Sequence, residues 1–262
     1  MFMRDKEIKI VFITDPHLVF DDKFLGIDTF KSFEATIEDV VANHFDADFY
    51  IFGGDLIQDQ NEASFRFFKD ISSRLQGPTL FARGNHDIND DFFNEISANQ
   101  ESKISFKSWE LINLNSYSEG NIYGEIRDDE MKFLQDISKK NTDKHILVYM
   151  HHNLFPTNSP WLDIHITKNY QNLSAKFSTI ENLELVISGH IHQEMEVLLN
   201  KTTFVSTPST SFQFLPDKET FTLDKKNPAY TVLNLYSNGS FDVNYKRVKG
   251  FFGEPEKNPK LY

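Results

Sequence analysis

The chain has 262 residues, with 27 Lys plus Arg against 39 Asp plus Glu and a formal net charge of −12. It is long enough to bury a substantial core, and its acidity repels a phosphate backbone and argues against non-specific nucleic-acid binding. Cysteine is absent, which removes disulfide scaffolds, thiolate metal sites and cysteine nucleophiles together.

Residues 8–14 (IKIVFIT) form a dense β-branched run and read as a buried strand. Thr29 then caps a helix whose apolar face is Phe30, Phe33, Ile37, Val40 and Val41. Residues 48–52 (DFYIF) read as the next buried strand, and Phe65, Phe68, Ile71 and Leu75 mark a second helix. Gly77-Pro78 ends it, and residues 79–83 (TLFAR) are a third strand. Strand, helix, strand, helix, strand predicts an α/β layout with parallel strands.

Farther along, residues 109–115 and 146–150 read as strands with a helix near 128–138 between them. A helix near 166–180 precedes a strand at 183–188. The pattern then turns to β at 194–199, 203–206, 230–236 and 241–247, the last two joined by the turn Ser237-Asn238-Gly239-Ser240. The Pro- and charge-rich residues 249–262 read as an extended surface tail, leaving 1–248 as one domain. The 26 phenylalanines are core filler. The best apolar runs are strand-sized, and the N-terminus, charged at Arg4, Asp5, Lys6 and Glu7, lacks a signal peptide's apolar region. The expected compartment is the cytoplasm.

Polar residues gather just after the buried strands. Thr14-Asp15-Pro16-His17 follows the first, Gly54-Asp55-Leu56-Ile57-Gln58-Asp59 the second and Gly84-Asn85-His86-Asp87 the third. His151-His152 follows 146–150, and Gly189-His190-Ile191-His192 follows 183–188. Ligands of open α/β sheets bind beyond the carboxyl ends of the strands, so five clusters in that position should converge. Taken singly, each has an ordinary reading as a strand-end turn, an Asx turn or a packed histidine. The ordered set has no such reading. Its Asp, His and Asn side chains are oxygen and nitrogen ligands without sulfur, suited to Mn, Fe, Zn or Ni.

In this ordered form the chain resembles the calcineurin-like metallophosphoesterases, over residues 8–247. That resemblance implies a four-layer α/β/β/α sandwich with two mixed β-sheets and a centre of two divalent metals, Fe and Mn ahead of Zn or Ni. It implies one metal held by Asp15, His17, Asp55 and His192, and a second held by Asp55, Asn85, His151 and His190, with Asp55 bridging. His151 is taken as the ligand and His152 as its neighbour. His86 becomes the general acid and Asp59 the residue that orients it. Gln60 stands where the phosphoprotein phosphatases of the family have arginine, which weakens that reading.

Residues 25–29 (LGIDT), 159–163 (SPWLD), Asn169, 189–194 (GHIHQE), 207–214 (TPSTSFQF) and 216–224 resemble the bacterial 3',5'-cyclic AMP phosphodiesterase subgroup. The resemblance implies substrate contacts from His17, Asn85, His86, His151 and His192 together with Trp161, Asp163 and Asn169. The expected reaction is hydrolysis of 3',5'-cyclic AMP to 5'-AMP, with a small cyclic nucleotide as partner and neither nucleic acid nor membrane. The rival readings are a broader phosphodiesterase of the same fold, acting on 2',3'-cyclic nucleotides or glycerophosphodiesters, and a non-catalytic scaffold. Every ligand position is filled, which a scaffold would not need.

Overall fold

A computed structural model describes residues 6–260. Arg4 and Asp5, used in reading the N-terminus, and Leu261 and Tyr262 of the tail lie outside the described residues. The first strand, β1 (Lys6–Ile13), shows how the layers form. Ile8, Ile10 and Phe12 turn to one side and Val11 and Ile13 to the other, and all five are fully buried. A strand apolar on both faces must be covered on both.

The first half of the chain continues as α1 (Thr29–His44), β2 (Phe49–Phe52), α2 (Glu62–Ser72), β3 (Thr79–Phe81) and α3 (Asp90–Ser97). The second half holds β4 (Lys103–Phe106), β5 (Trp109–Asn113), α4 (Asp128–Lys140), β6 (His145–Tyr149), α5 (Pro160–Asp163), α6 (Tyr170–Phe177) and β7 (Leu183–Ser188). It then runs through β8 (Met195–Leu199), β9 (Thr202–Ser206), β10 (Gln213–Phe214), β11 (Leu223–Asp224), β12 (Ala229–Tyr236) and β13 (Phe241–Arg247). One sheet has the order β13-β12-β1-β2-β3 and a second has β4-β5-β6-β7-β9-β8, with β10 and β11 as a small pair. β1, β2 and β3 are parallel, as expected, while β12 and β13 join antiparallel. In the second sheet β5, β6, β7 and β9 are parallel between antiparallel edges β4 and β8. Both sheets are therefore mixed.

Three apolar layers separate four layers of structure. Phe33, Ile37 and Val40 of α1 and Phe68 and Ile71 of α2 pack on Val11, Ile13 and Phe52. Ile8, Ile10, Phe12 and Ile51 meet Trp109, Leu147, Tyr149 and Ile187 between the sheets. Ile112, Ile146, Val148 and Val186 face Met131, Leu134, Leu173 and Phe177 from α4 and α6. This is the expected α/β/β/α sandwich. Among the described residues no helix is long and apolar enough to cross a membrane.

Some local readings change. Asp28, not Thr29, caps α1, because its carboxylate accepts from Lys31 N at 3.0 Å while Thr29 is already helical. The helix expected near 166–180 begins only at Tyr170, since Asn169 is left-handed at φ 56° and interrupts it. Leu75 packs in the core beyond the end of α2. The strand read at 109–115 ends at Asn113. The tail expected to lie extended on the surface is tied down in part: Phe252 is buried and its carbonyl accepts from Asp28 N at 2.8 Å.

The phenylalanines do fill the core. Phe68 lies 5.0 Å from Phe52, 5.5 Å from Phe33 and 6.0 Å from Phe92, measured between ring centres, and so joins α1, α2, α3 and β2. Phe68→Ala should destabilise the protein by about 3–5 kcal/mol. Urea unfolding should show a lower midpoint at unchanged m-value; a loss below about 1 kcal/mol would mean that the cluster closes over the cavity.

Candidate metal centre

The polar loops are held together by their own backbones. Asp15 N donates to Gly54 O at 3.0 Å, His17 N to Asp55 O at 3.1 Å and Leu18 N to Leu56 O at 3.1 Å, so the loops after β1 and β2 continue the parallel pairing past the strands. The loop after β3 is tied to them through a buried carboxylate. Asp87 accepts from Asp55 N, Leu56 N and Gly84 N at 2.8–2.9 Å, and His86 N donates to Asp55 Oδ1 at 2.8 Å. The second sheet enters where His190 N donates to the Asp15 carboxylate at 3.1 Å. Ser209 and Ser211 hydroxyls donate to Asp15 O at 2.7 and 2.9 Å, and Thr210 N donates to Thr14 O. The segment 207–214 thus braces the loop that carries Asp15 and His17.

Each histidine is locked by the partner of one ring nitrogen. His17 Nδ1 donates to Gln58 Oε1 at 2.8 Å, His192 Nδ1 to Phe212 O at 2.9 Å, His151 Nδ1 to Gly53 O at 2.7 Å and His190 Nε2 to His165 O at 3.1 Å. An oxygen acceptor demands the proton, so in the neutral ring the other nitrogen presents its lone pair. His17 Nε2 and His192 Nε2 then face each other at 3.2 Å. Asp15 Oδ1 lies 3.3 Å from His192 Nε2, and Asp55 Oδ2 lies 3.7 Å from His17 Nε2 and 3.2 Å from His151 Nε2.

Such a cluster of acceptors repels itself unless a positive charge sits within it. Asn85 Oδ1 and His190 Nδ1 are buried with no hydrogen-bond partner, and the equally buried Asp55 Oδ2 and His151 Nε2 have each other, at 3.2 Å. These are one atom from each residue expected at the second metal. Asp15, His17 and His192 have ligand atoms within 4.8 Å of one another, as do Asp15, Asp55 and His151. Oxygen and imidazole nitrogen donors of this kind fit divalent Mn, Fe, Zn or Ni.

Electrostatics carry the same signature. Burial pushes Asp55 upward, but His151, His86 and His17 outweigh it and hold the carboxyl well below its usual range. Burial drives His17 down to about 3 and His190 well below the ordinary imidazole value. His151 is also pushed down by burial, yet the Asp55 carboxylate lifts it to about 9. A cation bound there releases that proton. Five of the seven expected ligands are left-handed non-glycine residues: Asp15, His17, Asp55, His190 and His192, with φ from 44° to 69°. Each such residue carries about 1–3 kcal/mol of strain that the surrounding bonds must hold.

His152 differs from its neighbour. Its Nε2 donates to Ile122 O at 3.1 Å and its Nδ1 pairs with Ser116 Oγ at 2.9 Å, so both nitrogens are engaged by protein. His86 is half-buried at the mouth of the site, its ring 5.0 Å from that of His17. Asp59, expected to orient His86, instead accepts from Phe20 N at 2.7 Å, Asn61 N at 3.0 Å and Ser64 Oγ at 3.1 Å. Gln60 stands beside His86, donating to its carbonyl at 2.8 Å. The Trp161 ring packs on Phe214, which stacks on His192 at 4.3 Å, so it reaches the centre through one intervening ring. Asp163 accepts from Thr157 N and Oγ1 and braces its own loop. Asn169 opens α6 without a side-chain cap bond. Sequence reasoning left out Gln58, Asp87, Phe212 and Phe214. Gln58 and Asp87 lie inside the motifs, but nothing in a motif says which ring nitrogen or backbone N–H a neighbour will meet.

A model of the calcineurin-like phosphoesterase family matches residues 8–194. The chain is 31% identical to the 3',5'-cyclic adenosine monophosphate phosphodiesterase CpdA of Haemophilus influenzae, over 92% of this chain and 90% of that protein. It is 28% identical to CpdA of Escherichia coli K12, over 98% and 96% of the two chains. Among solved structures, a dimetal phosphatase from Danio rerio is similar with a TM-score of 0.67 at 9% identity, covering 88% of this chain and 94% of that one.

Elemental analysis of purified variants should separate the adjacent histidines. His152→Ala should keep the metal content of the parent, while His151→Ala should lose one ion per chain and Asp55→Ala both. Two ions retained in Asp55→Ala would sink the bridging assignment.

Proposed function

The chain belongs to the calcineurin-like phosphoesterase family, and we propose that it is a two-metal phosphodiesterase hydrolysing 3',5'-cyclic AMP to 5'-AMP. The observation that carries the reading is the convergence of buried ligand atoms: unpartnered Asn85 Oδ1 and His190 Nδ1, the Asp55 Oδ2–His151 Nε2 pair, and the facing Nε2 atoms of His17 and His192. Cyclic AMP is supported by the names of the relatives that span nearly the whole chain, and by the residues around Trp161 and 207–214. In this reading Asp15, His17, Asp55 and His192 hold one ion and Asp55, Asn85, His151 and His190 the other, Fe and Mn being preferred. Two divalent ions would neutralise the phosphate and make a water acidic enough to serve as nucleophile at neutral pH. Local charge of that kind lets an acidic chain take an anionic substrate.

The protein's own groups do the rest. The backbone carbonyls of Gly53, His165 and Phe212 and the Gln58 amide keep four imidazoles aimed at the centre. The water would release one proton to solvent as its oxygen bonds phosphorus, the P–O3' bond would break, and His86, as imidazolium, would give its ring proton to the departing 3' oxygen and regain one from solvent. In-line displacement requires the attacking oxygen to lie opposite that leaving oxygen, so the product keeps its phosphate on the 5' side. Trp161, held against Phe214 and Phe221, forms a wall of the substrate cap, with Asp163 and Asn169 shaping the loop around it.

The reaction should require Mn or Fe, stop with chelator and yield 5'-AMP by chromatography. Trp161→Ala should raise KM more than it lowers kcat. His86→Ala should keep both ions and lose about 10²–10⁴-fold in turnover, with a smaller loss on a nitrophenyl phosphodiester whose leaving group needs no proton. Equal losses on the two substrates would remove His86 from the acid role. Release of 3'-AMP, or cleavage of the 2',3' isomer alone, would move the chain to the broader phosphodiesterase reading.

A further inference from the structure

The loop after β1 runs from the metal centre to α1 and carries Phe24, whose ring lies 6.2 Å from His17 and 5.4 Å from Phe212. Phe212 in turn packs 5.2 Å from His17 and 4.8 Å from His192. The Phe24 and Phe212 rings thus both neighbour the His17 imidazole and each other. Phe24 is fixed by a tight turn in which Phe24 N and Ile27 N each donate to the other's carbonyl at 2.9 Å. That turn places Leu25 at φ 53° and Gly26 at φ 86°. A left-handed leucine does not hold itself in place.

The C-terminal segment supplies the support. Asp28 N donates to Phe252 O at 2.8 Å, Ile27 bridges to Gly253, and Glu256 N donates to Leu25 O at 3.1 Å. Phe252 is buried in the same apolar cluster as Leu25, Ile27 and Val248. The two backbones touch at glycines on both sides. A Cβ on Gly253 would sit 2.1 Å from Gly26 O, and one on Gly26 would sit 2.1 Å from Glu254 O. So close an approach has no room for a side chain, and Gly253 at φ 131° is in a conformation other residues avoid.

We infer that residues 252–256 are a strap that positions His17 through Phe24, so that the end of the chain tunes one of the two metal sites. The inference rests on the proposed reading in which His17 holds a metal. The strap touches neither metal nor substrate, and its residues are positioning residues. Because His17 belongs to one site only, loosening the strap weakens that site selectively, whereas a general loss of packing weakens both.

Calorimetric titration of metal-free protein with MnCl2 tests this without any substrate. The parent should take up two ions. Gly253→Ala should weaken one ion, by less than the roughly 10–100-fold lost when a direct partner of a metal ligand is removed, and leave the other near its parent value. Glu256→Pro removes the N–H given to Leu25 and sets its ring carbon against that carbonyl, and should also weaken that one site, which keeps the test open if Gly253→Ala does not fold. Phe24→Ala should reproduce the effect, and Phe24→Ala combined with Gly253→Ala should be no weaker than the worse single variant, because both act on one contact. Unchanged affinities in a folded strap variant, equal weakening of both ions, or additive losses would overturn the strap. A parent protein that binds fewer than two ions would instead overturn the two-metal reading, and the strap with it.

Discussion

Two imidazole nitrogens that face each other at 3.2 Å set the terms for the rest of this molecule. His17 and His192 come from different sheets, and each is committed by an oxygen on its far nitrogen. Asp15 and Asp55, both fully buried, crowd the same volume with negative charge. Removing carboxylates from water is expensive, and the imidazoles beside them offset it only in part: burial drives His17 and His190 down, while His151, also pushed down by burial, is lifted to about 9 by Asp55. The arrangement has a favourable state when cations sit among the ligand atoms. The surrounding structure can be understood as what keeps the acceptors from drifting apart.

That surrounding structure is unusually rigid in kind. Two sheets covered on both faces bring their strand ends to one edge, and the loops there are paired through backbone hydrogen bonds instead of being left to side-chain packing. Asp87 is the junction, with three backbone N–H groups from two ligand loops on one carboxylate. The Ser209 and Ser211 hydroxyls close the assembly from behind. These bonds oppose the strain of five left-handed residues that the proposed reading makes ligands. Strain concentrated where ligands converge is what a site needs when its side chains must point where an ordinary strand or turn would not send them.

Around the polar centre lies an aromatic shell: Phe24, Phe212 and Phe214 against His17 and His192, then Trp161 and Phe221 beyond. It excludes water from one side and lowers the local dielectric, which strengthens every charge interaction inside. The phenylalanine richness of the chain therefore serves two ends. Phe33, Phe52 and Phe68 build the helix-facing core, while the rings around the centre set the orientation of ligands. Residues 252–256 touch the loop of Phe24 through backbone hydrogen bonds.

Much of this was legible in the residues themselves. Strands buried on both faces must be continuously apolar, so β1, β2, β6 and β7 stood out, and an Asp, His or Asn placed just after such a strand can only be at the sheet's edge. β4 and α3 were missed because they are short and only partly covered: α3 spans eight residues and buries only Phe92, with Phe93 and Ile96 partly buried, and β4 is a four-residue edge strand whose Ile104 and Phe106 are partly buried. Residue types and spacing gave the donor set and the number of loops that carry it. They could not tell His151 from His152, since that difference lies in which carbonyl or hydroxyl each ring meets: Gly53 O for one, Ser116 and Ile122 for the other. The family resemblance set Asp59 toward His86, whereas in the folded loop its carboxylate accepts from Phe20 N and Ser64 Oγ. They also left the tail on the surface, where Phe252 is in fact buried beside Leu25 and Ile27. Composition and periodicity report what a segment does to water; partners far apart in the chain are chosen only when the two sheets close on each other, and the protonated nitrogen, the strained turn and the strap are properties of those partners.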